Sequence, residues 1–174
     1  MDQTYLTEAR KGNVYHSHNT TAGAVTVLST TCTGLVLVNP WESGKELTVT
    51  NMSFVGSTLT SIREVGIAVP TEVQETVVTA GATAAVIHNG KLAGSNVDRG
   101  VGRAYSIATL TSTPLWFRPL GSARVTAAVE GLAAMSADFD GTVIVPEGFY
   151  IAFSTLTAAA TGLCSISWIE TDPS

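Results

Sequence analysis

The chain has 174 residues, of which only 13% are charged, about half the share of an ordinary soluble domain. Nine Lys and Arg stand against fourteen Asp and Glu, a formal net charge of -5, and the basic residues are scattered, which excludes the concentrated positive surface that direct nucleic-acid binding needs. Mean hydropathy is positive at +0.28, yet no apolar run reaches the roughly 18 residues of a membrane span, and the length suits one domain with a full core.

Residues 1–20 are polar, with Tyr5, Leu6, Val14 and Tyr15 as isolated anchors. They read either as an extended arm lying on a neighbour or as a first edge strand, with 21–174 as a single β-sandwich domain. The opening residues Met1–Thr4 lack the positive and apolar regions of a secretory signal. His16-Ser17-His18 is a metal-like spacing, because alternate residues of a strand share a face. A cupin-like metalloprotein would pair these histidines with a nearby Glu, but the next one is Glu42. A metal site needs three or four ligands, so the pair reads as structural and no metal or cofactor is assigned.

Beyond residue 20, Val, Ile and Thr alternate with small residues, and turn residues recur at the spacing of sandwiches and barrels. Strands are expected at 24–28, 35–38, 47–55, 62–69, 84–88, 104–110, 125–129, 142–145, 149–155 and 164–169. Val65, Ile67 and Val69 share one face, with Gly66 and Ala68 opposite; Phe149, Ile151 and Phe153 repeat the pattern. Leu35-Val36-Leu37-Val38 is apolar on both faces, as a central strand or one covered by a neighbouring subunit would be. Asn39–Gly44 is a corner with Pro40 barring further pairing. Residues 89–103 are rich in Gly and Asn and read as a surface loop; 129–135 fit a short helix or a strand and loop equally. Pro146-Glu147-Gly148 is a tight reversal.

No catalytic constellation emerges. Asp138-Phe139-Asp140-Gly141 opens like a calcium loop but lacks the remaining donors, and reads as a solvated turn before a strand. No Gly-x-Ser-x-Gly elbow occurs, and Gly100-Val101-Gly102 lacks the rest of a dinucleotide fingerprint. Cys32 and Cys164 sit in apolar strand segments and read as buried thiols, in keeping with assembly in a reducing cytoplasm. Trp168 alternates with Ile166 and Cys164 and belongs to the core. Trp41 and the Trp116-Phe117 pair lie beside prolines in loop-like contexts, where an aromatic either anchors a partner or tucks over the end of the sandwich. Partner contacts are therefore expected at Tyr5, Leu6, Trp41, Trp116 and Phe117.

Two segments carry a family resemblance. Gly34–Val49 contains the strand, Asn39-Pro40-Trp41-Glu42-Ser43-Gly44-Lys45 corner and second strand. Gly141–Ile151, with Val145-Pro146-Glu147-Gly148, is followed by the Ser167-Trp168-Ile169-Glu170 ending. Together they resemble the small β-sandwich structural proteins of tailed bacteriophages, the class that includes capsid decoration (cement) proteins. The chain departs from that pattern at Glu147, where a second Pro is expected, and at Trp41-Glu42, where small residues are commoner. The resemblance implies an all-β, antiparallel, jelly-roll-like sandwich without enzymatic activity. It also implies a homotrimer on the exterior of an icosahedral head, clamping the viral major capsid protein after expansion. A charge-poor surface agrees, since charges are depleted from interface cores. Two other readings stand beside it: a phage tail or fibre module that binds a host receptor or glycan, and the cupin-like metalloprotein.

Overall fold

The computed structural model describes residues 3–58, 63–72, 77–91, 100–123 and 134–173. One helix opens it, α1 (Gln3–Lys11), followed by the strands β1 (Val14–His18), β2 (Gly23–Val25), β3 (Thr31–Val38) and β4 (Glu46–Thr58). Next come β5 (Arg63–Val69), β6 (Val77–Ala84), β7 (Val86–Asn89), β8 (Arg103–Leu110) and β9 (Leu115–Ala123). The chain closes with β10 (Ala134–Val145), β11 (Tyr150–Thr155) and β12 (Ala160–Thr171).

The strands form two antiparallel sheets, ordered β10-β4-β12-β1-β7, with β2 also on β12, and β6-β8-β3-β11-β5-β9. Their wiring is that of a jelly roll. The pairs β1·β12, β3·β11, β4·β10 and β5·β9 are each antiparallel, as in one long ribbon wrapped so that successive pairs alternate between sheets. Between β5 and β9 the chain makes an excursion: β6 and β8 widen one sheet beyond β3, and β7 widens the other beyond β1.

The inner faces follow the period-two pattern. Leu35, Leu37, Val65, Ile67, Ile151 and Phe153 of one sheet meet Leu47, Val49, Met52, Phe54, Ile166 and Trp168 of the other, all fully buried. Trp168 stacks on Tyr15, with ring centroids 5.9 Å apart. The apolar run 35–38 is a central strand: β3 lies between β8 and β11. Its opposite face, with Val36 and Val38, joins Cys32, Ala108, Tyr150 and Ala152 in a second buried cluster.

The N-terminal region differs from both readings of it. Residues Gln3–Lys11 are helical rather than an extended arm, with Arg10 and Lys11 in the last turn, where cations suit the helix dipole. Gly12 stops the helix at φ +88, and its N–H bonds to Glu8 O at 3.1 Å, as a left-handed terminal residue does. The strand that follows is interior rather than at an edge: β1 pairs with β12 on one side and β7 on the other. Its polar sequence reflects alternation, since Val14, Tyr15 and Ser17 are buried while His16 and His18 are half-buried.

Other elements shift as well. The expected strand 84–88 is divided between sheets: Ala84 ends β6, and β7 begins at Val86. Trp116 and Phe117 lie within β9, not in a loop, and β12 begins at Ala160, ahead of the expected strand 164–169. The expected strand 125–129 falls outside the described residues. The Asp138–Gly141 segment lies within β10, where pairing to β4 breaks between Asp138 and Val143. Asp140 and Gly141 there have φ of +47 and +76, and Phe139 is buried beneath the guanidinium of Arg118, 5.2 Å from the ring centroid.

Candidate functional site

The two segments that carry the family resemblance pack on each other. Asn39, fully buried, donates its side-chain amide to Lys45 O at 2.7 Å and Val145 O at 3.0 Å. Its backbone N–H bonds to Phe149 O at 2.9 Å, and its carbonyl accepts Gly148 N–H at 2.8 Å. One residue thus ties the β3–β4 corner to the β10–β11 turn. Glu147 uses the position where Pro was expected: its carboxylate accepts the Gly44 N–H and the Ser43 hydroxyl. Trp41 lies over Gly148, where an added Cβ would sit 2.5 Å from the indole. The other face of Trp41 is open, and the residue is 48% exposed.

Trp116 and Phe117 diverge. Trp116 pairs with Ala68, and its ring crosses Gly66 so closely that a Cβ there would meet it at 2.5 Å. This half-buried ring covers the outer face of its sheet. Phe117 is the extra residue of a bulge, since Arg118 pairs with Ile67 and Trp116 with Ala68. Released from the ladder, Phe117 is 52% exposed and borders a groove of about 310 Å³ that also takes in Val69, Ile144, Pro146 and Phe149. Among the described residues lining this groove there is no charged side chain. Leu115 and Ile144, whose exposure the alternating pattern did not signal, join Phe117 as the three most exposed large apolar residues described.

Tyr5 and Leu6 stand elsewhere, on α1. Leu6 is exposed, whereas Tyr5 borders a second groove, about 450 Å³, on the outer face of the β10-β4-β12 sheet. The five expected contact residues therefore do not converge. Trp41 and Phe117 neighbour the β10–β11 turn region, Trp116 is packing, and Tyr5 and Leu6 are carried by the helix.

The three histidines of the chain do converge. His16 lies opposite His88 across β1 and β7, and the His18 and His88 rings stack 5.7 Å apart. Sequence reasoning missed this because the position of β7 beside β1 is a tertiary fact. His16 Nδ1 shares a 2.7 Å hydrogen bond with Ser167 Oγ. Burial, and then the neighbouring His88, lowers its pKa below the ordinary 6.5. Among the described residues no group of three His, Cys, Asp or Glu is arranged to hold a metal. Both cysteines are free and buried; burial pushes Cys32 up to about 12 and Cys164 also upward, so neither is a ready nucleophile.

Near the β3–β4 corner, where β12 pairs with the start of β4, Glu170 is buried, and its carboxylate accepts Val101 N–H at 2.8 Å and Gly102 N–H at 2.9 Å. The expected loop 89–103 is thus anchored at its C-terminal end. Among the described residues no helix is long and apolar enough to cross a membrane. No protein-family model matches the chain, and no curated protein matches its sequence.

Proposed function

We propose that this chain is a virion structural protein, a head decoration or cement protein that binds the viral major capsid protein as a homotrimer on the capsid exterior. The observation that carries the reading is the apolar surface where β9 adjoins β10, beside a groove whose described lining holds no charged side chain. There Leu115, Phe117 and Ile144 are each at least half exposed, at 55%, 52% and 50%, in a chain already poor in charge. Contiguous apolar surface of this kind marks an interaction site, and charge depletion is characteristic of interface cores.

The manner of contact follows from the edges. Strand β9 ends one sheet and β10 the other, but β9 carries Pro119 and two register shifts, features that discourage strand-to-strand addition. A sister copy is therefore held by side chains entering the groove beside Phe117, and Trp41 at the adjoining corner is left to meet the capsid. Trimerisation multiplies such weak contacts through effective concentration. Inert thiols suit a structural rather than catalytic role.

Co-sedimentation with expanded shells of the major capsid protein tests the reading. Wild-type protein is expected to pellet with expanded shells, and Phe117→Asp to remain folded in the supernatant. Wild-type protein left wholly in the supernatant overturns it.

A further inference from the structure

The groove beside α1 has a chemistry unlike that of the apolar surface, although Thr48 of its floor pairs with Ile144 of that surface. Its floor is the outer side of β4 and β12, where Thr48 and Thr171 present hydroxyl and methyl groups, while the Thr50 hydroxyl donates to Ser167 O at 3.1 Å and the Ser167 hydroxyl bonds His16. One wall is Tyr5 of the helix; the other is the irregular segment of β10 with Asp138, Asp140 and Gly141. At about 450 Å³ it falls in the size range of small-ligand sites.

The polar groups are arranged rather than scattered. Asn51 Nδ2 donates to Asp138 Oδ1 at 2.7 Å, which sets an amide and a carboxylate edge to edge. Each keeps an oxygen uncommitted among the described residues. Asp140 is one of two described non-glycine residues with positive φ, a conformation that persists where the surroundings impose it and that clusters at binding sites. The Glu8 carboxylate is turned to Lys11 and Asn13, at 2.7 Å each. Among the described residues the lining contains no Lys or Arg, and the nearby Lys11 is already paired with Glu8.

We propose that this groove binds a neutral saccharide. A pyranose presents C–H faces and paired hydroxyls. The Tyr5 ring and the threonine methyls match the former; the Asp138–Asn51 pair, Asp140 and the Thr48 and Thr171 hydroxyls accept from and donate to the latter. The carboxylates are exposed, so their pull on a cationic ligand is screened by solvent, whereas directional bonds to hydroxyls retain their value in a site of this shape. The proposal does not depend on the virion assignment, and its site shares no lining residue with the groove at Phe117.

The full chain is titrated by amide NMR with neutral glucose-, galactose- and N-acetylglucosamine-based oligosaccharides, with sialyllactose, and with trilysine. At least one neutral sugar is expected to shift the amides of Thr48–Asn51 and Asp138–Gly141. Asp140→Asn, which keeps a residue type tolerant of positive φ, and Tyr5→Ala are each expected to weaken binding roughly tenfold. Unchanged affinity in both variants overturns the proposal, as does an absence of sugar-induced shifts at these residues. Shifts produced by trilysine alone also overturn it and define a cation site instead.

Discussion

The indole N–H of Trp168 donates to the carboxylate of Glu170 at 3.1 Å, although the two side chains are only two residues apart on β12. Both point inward on the same face of the strand, and the carboxylate completes its coordination with the Val101 and Gly102 amides. A buried carboxylate held by three N–H donors is well satisfied. This is the physical content of the Trp-x-Glu ending: an acceptor on the last strand fastens the loop entering β8.

Glu170→Gln tests that fastening. An amide offers one acceptor oxygen, and its NH2 group would face donors, leaving buried N–H groups unpaired. Denaturant unfolding is expected to show a loss of about 1–3 kcal/mol, with faster hydrogen exchange at Val101 and Gly102. Unchanged stability and exchange would mean that the carboxylate is not what holds the loop.

Asn39 offers a sharper comparison, because its amide faces two carbonyls. Asn39→Ala removes both bonds and is expected to cost about 1–3 kcal/mol. Asn39→Asp aims a carboxylate at the same two oxygens and is expected to cost more than the alanine change. Thermal and denaturant unfolding of the pair give the order directly, and equal stability of the two variants would argue against the donor role.

Trp116 and Trp41 separate packing from contact. Gly66→Ala is expected to destabilise by about 1–3 kcal/mol, because the new methyl meets both the Trp116 ring and Arg118 O at 2.5 Å. Trp116→Ala lowers stability for the opposite reason, by uncovering the sheet beneath the ring. Trp41→Ala, which removes a ring open on one side, is expected to reduce co-sedimentation with capsid shells more than it reduces the unfolding midpoint. The reverse pattern would exchange their roles.

The histidine cluster sets a pH dependence. With its folded-state pKa lowered, His16 takes up its proton more readily in the unfolded chain. The associated stability is therefore full above the ordinary value of 6.5 and is lost as pH falls through it. His88 faces His16 from β7, and its interaction lowers the His16 pKa further. The unfolding midpoint is expected to drop from about pH 7 to about pH 5, and to drop less in His16→Gln. Identical slopes would remove His16 from the linkage.

The sandwich itself was legible because its pattern is local. Val65-Gly66-Ile67-Ala68 and Phe149–Phe153 announce their two faces by alternation, and Leu35–Val38 announces a strand covered on both. The helix was hidden because the segment around Tyr5 and Leu6 is polar; its readable sign was the Arg10-Lys11-Gly12 stop. Interior placement of β1 could not be read, since it depends on β7 arriving from seventy residues away. The same limit concealed the meeting of His16 with His88. Trp116 and Phe117 were read as loop residues because Pro114 and Pro119 flank them, whereas an edge strand with bulges tolerates both prolines. The exposure of Leu115 and Ile144 had no local signature, because it follows from both sheets ending at the same side.

Sedimentation equilibrium of the purified wild-type chain, beside Phe117→Asp, tests most directly whether the β9–β10 surface is covered by sister copies. A wild-type mass three times the 18.1 kDa of the chain, falling to one in the folded variant, is the expected result. A wild-type protein that stays a monomer at high concentration, with Leu115, Phe117 and Ile144 open to water, would contradict it.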